Sequence, residues 1–427
     1  MTERHNYKNM SMKNKQTFIS VLMVALAFGT AWAIRGKFGH EQGAAWAGAI
    51  GAISVVLVAK RTDWYNRVFK IVLAAAVGWG LGGMISYGMV VGYGRANDFF
   101  NVYYGLMMLF VIGGLYGFLG GGLFGLALAE SKEFKVSWAS LIAEMVAFGL
   151  LTYGFLINQL EWFMTPPRSE LWAACFGAAI ALAWYILRHK QQSALKVAIW
   201  SALGGGVGFS FGNFLQVLGT GSALPFNFWN IMEYSIGFFG GLGMAYGTLS
   251  SSWPVNDHVP DKRSNFAPML FLLAFIPLVL WNESFVAEKM DHILKLGGTT
   301  DTIFWFQVIA LVAILLSAGI LLTKFNRTQQ DFSSVKSIFI IYLGLYTFLS
   351  FLLTGITVHP IEQYLYLVNI AVLLFVLPSQ SDNFKLTKES PIRWMTATAL
   401  CVLLIAILAM VALQSHGELP GSHMRFK

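Results

Sequence analysis

The chain has 427 residues, 56% of them hydrophobic and only 12% charged, a net charge of +8 and a mean hydropathy of +0.61. Soluble domains carry about 25% charged residues, so a soluble fold is excluded. The basic residues are scattered over short connections rather than gathered into a domain, which excludes a nucleic-acid partner.

In lipid every backbone polar group must be paired internally, so long, continuous apolar runs are helices. The pattern predicts an all-α polytopic membrane protein with thirteen spans. A polar, basic segment over 1–14 is expected to be a cytoplasmic tail. The spans then fall at 17–34, 44–59, 71–93, 103–129, 136–157, 170–187, 195–218, 228–250, 267–282, 303–322, 335–358, 362–377 and 392–413. No small-residue cleavage site follows the first run, so that run is expected to act as its own insertion signal. With the N-terminus inside, 21 of the 29 Lys and Arg residues fall in inner segments, as the positive-inside rule requires. The expected location is a bacterial inner membrane, with the lipid bilayer as the main partner.

The first connection is unusual. "RGKFGHEQG" places Arg35, Lys37, His40 and Glu41 within seven positions, between two short spans and on the expected outer side. An ordinary tight loop needs only Gly and neutral polar residues. Irregular backbone near lipid is tolerated where it is buried in protein or faces a water-filled cavity. These charges are therefore expected to turn inward. Arg35 and Glu41 either pair to close the loop or serve a ligand.

Further along, short stretches recur. "WAGAIGA" at 46–52 matches "WAACFGA" at 172–178, "DFFNV" at 98–102 matches "NFWNI" at 227–231, and "AFG" occurs at 27–29 and 147–149. The offsets of 126, 129 and 120 residues imply two four-helix units, 15–130 and 131–252. Four spans is an even number, so both copies should share one orientation about a twofold axis along the membrane normal. Gly113, Gly117, Gly121 and Gly125 form a stripe on one helix face, as do Gly204, Gly208 and Gly212, and Gly237 with Gly241. Such stripes predict close backbone approach. Glu233 and Asn101 continue two of them toward the outer end. Residues 1–266 hold 36 of the 43 glycines, so 267–427 is read as a separate five-helix bundle, a surface for a partner or a second copy of the chain.

Chemical signatures are sparse. There is no GxSxG, P-loop, dinucleotide fingerprint or HExxH. Cys175 and Cys401 both lie in apolar runs, which leaves no cysteine-rich metal centre. His40 and Glu41 with His359 and Glu362 are too dispersed for a metal, and no cofactor is expected. Glu144, mid-span, is either a proton-relay acid or an acid bonded to a neighbouring helix. The candidate ligand-binding set is Arg35, His40, Glu41, Arg95, Asp98, Asn101, Glu161, Asn230 and Glu233, expected to converge between the two repeats. Together with the repeat and the absence of a soluble domain, this points to a secondary transporter, proton- or ion-coupled, of a small polar or anionic solute such as a sugar acid. The alternatives are a membrane enzyme transferring a glycosyl or acyl group at the outer face, and a sensing or assembly subunit.

Overall fold

The computed structural model describes residues 2–222, 224–256, 262–295, 297–325, 330–354, 360–377 and 390–426. All of its regular elements are helices: α1 (Thr2–Arg35), α2 (His40–Ala59), the single turn α3 (Thr62–Tyr65), α4 (Val68–Gly83), α5 (Gly88–Tyr93), α6 (Phe99–Ala129), α7 (Trp138–Tyr153), α8 (Leu171–Arg188), α9 (Gln192–Gly221) and α10 (Phe228–Leu249). The C-terminal part adds α11 (Lys262–Leu270), α12 (Ile276–Ser284), α13 (Ala287–Lys295), α14 (Thr300–Phe325), α15 (Phe332–Thr354), α16 (Ile361–Val376) and α17 (Pro391–Ser415). Wide π turns extend α7 over Gly154–Gln159 and join α11 to α12 over Phe271–Phe275.

Ten helices among the described residues are long and apolar enough to cross a membrane, which makes this a polytopic membrane protein. The other three expected spans meet shorter or more polar helices. The run 71–93, expected to be continuous, is broken: α4 stops at Gly83 and α5 resumes at Gly88. The break follows from packing. A side chain at Gly83 would strike the His40 carbonyl oxygen at 2.6 Å, so α4 ends flush against the start of α2.

Six helices form a closed ring. α1 packs on α2, α2 on α4, α4 on α6, α6 on α9, α9 on α10 and α10 on α1. Glycines set the spacing. A methyl group at Gly117 would fall on the Ser201 carbonyl oxygen of α9, and one at Gly204 on the Phe239 carbonyl oxygen of α10. A methyl group at Gly212 would sit 2.8 Å from the Met232 carbonyl oxygen, and one at Gly241 would sit 3.1 Å from that of Val24 on α1. Backbones this close gain dispersion contacts that bulkier side chains would prevent.

The recurring stretches occupy similar local places. Gly51 of α2 and Gly177 of α8 both sit at a helix–helix contact, but Gly51 meets the Phe28 ring of α1 and Gly177 meets the Phe148 carbonyl oxygen of α7. Asp98 caps α6 by accepting from the Asn101 backbone N–H at 2.9 Å, and Asn227 caps α10 by accepting from that of Asn230 at 3.3 Å. The wider packing differs: α1 and α2 belong to the ring, whereas the α7–α8 hairpin leans on α6 and α9 from outside. The last helices also take separate seats around the ring rather than standing apart from it. α12 and α15 pack on α2, α16 on α1, and α17 on α6 and α9.

The end of the ring opposite the α1–α2 loop is locked by ions. Arg61 grips Asp63 with two hydrogen bonds of 3.0 and 2.8 Å. Buried Arg67 donates to the carbonyl oxygens of Ala127 and Glu130, at 3.3 and 3.1 Å. Lys70 pairs with Glu130 at 2.7 Å, and the Trp138 indole donates to the same carboxylate at 3.0 Å.

Candidate ligand-binding site

At the α1–α2 end lies a polar cavity of about 770 Å³. Its deepest charged side chain is Arg35, in the last turn of α1 and only 2% exposed. Arg35 does not pair with Glu41. Its Nη1 contacts both carboxylate oxygens of Glu233, at 2.9 and 2.8 Å. Glu233 stands on α10, on the face whose glycines press against α1, so the backbone contact brings the two charges together. Gly43 makes room: a methyl group there would sit 2.9 Å from Arg35 Cγ.

Tyr87, from the break between α4 and α5, completes the pair. Its hydroxyl donates to Glu233 Oε1 at 2.8 Å and accepts from Arg35 Nη1 at 2.9 Å. Arg35 Nη2 donates to His40 Nδ1 at 2.8 Å, which selects the tautomer with its proton on Nε2. Arg35 Nε remains buried without a partner among the described residues. Beneath the guanidinium the ring is sealed by aromatics. The Trp32 ring centroid is 5.4 Å from Arg35 Cζ, and Trp32 meets Trp79 and Tyr116 at 5.3 and 5.8 Å. Phe28 stands edge-on to Trp79 at 4.7 Å.

Six of the nine expected residues line this cavity: Arg35, His40, Glu41, Arg95, Asn230 and Glu233. Asn230 donates to the Ala33 carbonyl oxygen at 3.0 Å and to the Tyr366 hydroxyl. Arg95 lies 5.3 Å over the Trp229 ring and donates to the Pro420 carbonyl oxygen at 3.0 Å. Burial lowers the pKa of its guanidinium, and no carboxylate offsets that effect. The Glu41 carboxylate is exposed and has no hydrogen-bond or ion-pair partner among the described residues.

The other three lie elsewhere. Asp98 and Asn101 serve the start of α6. The Asn101 amide also donates to the Phe426 carbonyl oxygen, and its side-chain oxygen accepts from the Arg425 and Phe426 backbone N–H groups. They therefore hold the C-terminal tail, whose Gly421 and His423 reach the cavity wall. Glu161 is exposed in the turn after α7, with φ of 53°, and does not line the cavity. Its expected place followed from the repeat, but the α7–α8 hairpin stands outside the ring. Glu144 forms an ion pair with Arg188 of α8 at 2.8 Å. His359 lies outside the described residues, and among those described no three acidic, His or Cys side chains could hold a metal ion.

Sequence reasoning missed Tyr87, Arg168 and Glu170. The signal for Tyr87 was present in "GGMISYG": glycines bracketing a hydroxyl pair mark a broken helix. Glu170 is 5% exposed and accepts from the backbone N–H groups of Met164 and Thr165 at 2.8 and 2.9 Å, and from the Trp172 indole at 2.7 Å. These three donors fix the loop that puts Arg168 and Ser169 on the cavity rim.

Four cations line the cavity (Arg35, Lys37, Arg95, Arg168) against two carboxylates, Glu41 and Glu233. Lys37 is itself 3.5 Å from Glu362. The excess positive charge suits an anion. Compared with known proteins, the chain matches no family model, no curated protein and no solved structure.

Proposed function

We propose that this protein is a secondary transporter whose polar cavity binds the anionic group of its solute from the extracytoplasmic side. One observation carries this reading: a buried Arg35–Glu233 pair at the foot of a cation-rich cavity, directly above a closed aromatic floor. Buried ion pairs are costly to desolvate and weak evidence for stability, and membrane acids facing a bundle interior are functional candidates by default. Protonation of Glu233 would free Arg35 to take a solute anion, and loss of that proton would displace it. Proton and solute would thereby be coupled through one guanidinium. Release inward requires the floor of Trp32, Trp79 and Phe28 to part, and the smooth glycine contacts of α10 on α1 and on α9 are the surfaces on which such a shift could occur.

Within this reading the chain has thirteen spans, a cytoplasmic N-terminus and a place in a bacterial inner membrane. Its first eight spans descend from a duplicated four-helix unit. The matched caps at Asp98 and Asn227 support the duplication.

A membrane enzyme acting at the outer face is the second reading. It is favoured by the cavity's position at one end of the ring rather than at mid-depth, and by Glu41 and His40 on its wall. Cells with and without the protein, compared for internal solute pools and outer-leaflet lipid chemistry, separate the two. A solute pool that changes, and fails to change with Glu233→Gln, supports transport. Outer-leaflet lipids that gain or lose a glycosyl or acyl group, with unchanged pools, refute it.

A further inference from the structure

The polar cavity has an apolar neighbour. A groove of about 550 Å³ runs between α4 and α6 on one side and the α7–α8 hairpin on the other. Leu73, Val77 and Leu81 of α4 face Ile142, Val146 and Leu150 of α7 across it. The charge of Lys70, at its far end, is already paired with Glu130. From Lys70 to Met84 the groove follows about 21 Å of helix axis. A groove of that length and volume has room for an extended alkyl chain.

Two stretches of chain carry the groove into the cavity. Met84 lines both, with Gly83 and Ile85 on the polar side. Arg168 and Ser169 line the cavity, and Leu171, three residues on, lines the groove. At this boundary the exposed Arg168 guanidinium has no hydrogen-bond or ion-pair partner among the described residues, and Glu170 holds its loop in place. The apolar groove therefore ends at an unpaired cation that can meet an acidic headgroup.

We propose that cavity and groove form one site for an anionic single-chain lipid drawn from the bilayer, with its acidic headgroup at Arg168 and Arg95 and its chain between α4 and α7. This rests on reading the cavity as an anion site and names the substrate class of that site. Guanidinium groups bind phosphate and carboxylate with directed, charge-assisted bonds, and a chain seated between α4 and α7 adds dispersion contacts to them.

The test is equilibrium binding to the full-length protein in phosphatidylcholine nanodiscs, with empty nanodiscs subtracted, using inorganic phosphate, n-dodecyl phosphate and n-dodecanol as probes. Dodecyl phosphate should bind at least tenfold more tightly than phosphate. Val146→Trp and Ile142→Trp, both at exposed positions that fill the groove, should each erase that advantage and leave phosphate affinity within about twofold. Arg168→Gln should weaken phosphate and dodecyl phosphate alike, by about tenfold. Dodecyl phosphate binding no better than phosphate, with both sensitive to Arg168→Gln, overturns the amphiphile and leaves the anion site standing. Dodecanol binding as well as dodecyl phosphate, unaffected by Arg168→Gln, reduces the groove to a place for ordinary bilayer lipid and also overturns the proposal. Phosphate and dodecyl phosphate both binding without sensitivity to Arg95→Gln or Arg168→Gln puts the anion elsewhere in the cavity and overturns the proposal, and no binding of either probe removes the anion site itself.

Discussion

Arg35 commands the most interactions of any charged side chain in the cavity: a bifurcated contact to Glu233, one bond to Tyr87 and one to His40. Removing one member of a buried pair strands the other, at a cost of about 3–5 kcal/mol. Arg35→Ala is therefore expected to lower the detergent melting temperature sharply. The double variant Arg35→Met with Glu233→Leu should recover most of it while transport stays absent, because apolar groups of similar volume fill the space without a charge to desolvate. A double variant as unstable as Arg35→Ala alone would mean that packing, not charge, holds this corner. Glu41 is different. Its carboxylate is exposed and unpaired among the described residues, so Glu41→Gln should leave melting within about 0.5 kcal/mol of the parent and reveal itself only in uptake.

At the scale of helices, the decisive contacts are glycines against carbonyl oxygens. Gly117 faces Ser201 and Gly208 faces Ser235, whereas Gly319 of α14 has open space around it. Gly117→Leu and Gly208→Leu should each destabilise the protein by about 1–3 kcal/mol or more through overpacking, while Gly319→Leu should be nearly silent. Similar melting of all three variants in detergent would show that the ring does not depend on these contacts. The caps supply a second check. Asn227→Ala removes the side chain that accepts from the Asn230 N–H and should cost about 1 kcal/mol. Asp98→Ala should cost more, because Asp98 also accepts from the Asn101 amide that holds the tail.

Across the whole molecule the ring is locked at one end by Arg61, Asp63, Arg67 and Glu130 and open at the other. Over the open end the C-terminal tail is fastened by hydrogen bonds along its length, one of them from the Arg425 guanidinium to the Phe163 carbonyl oxygen. Arg95 binds the Pro420 carbonyl oxygen, Asn101 binds Arg425 and Phe426, and the Gly92 carbonyl oxygen accepts from the His423 N–H. Asn101→Ala should loosen this strap. In a chain lacking Cys175 and Cys401, a cysteine at Ser86 on the cavity wall should then react severalfold faster with a membrane-impermeant maleimide. An unchanged rate would mean that the tail does not limit access. The same reagent tests orientation: a cysteine at Glu41 should label in intact cells, and one at Lys132 only after permeabilisation.

The membrane-spanning, all-helical class was legible from composition and run length, because lipid leaves the backbone no other solution. Some local contacts were legible too: the four-residue glycine spacing fell on faces of close approach, and of the charges in "RGKFGHEQG" Arg35 is buried while Glu41 is exposed. What could not be read was which partner each charge meets. Arg35 lies 6 residues from Glu41 but 198 from Glu233, and only the register of α1 on α10 decides between them. Tyr87 became a site residue because α4 stops against α2, a packing event that hydropathy does not register. Glu161 was left outside for the converse reason: sequence similarity between two helix pairs does not fix where each pair docks. A cap such as Asp98 or Asn227 is set by residues three apart in sequence, whereas the seat of a helix in the ring depends on the shape of every neighbour at once, and that was decided only by the tertiary structure.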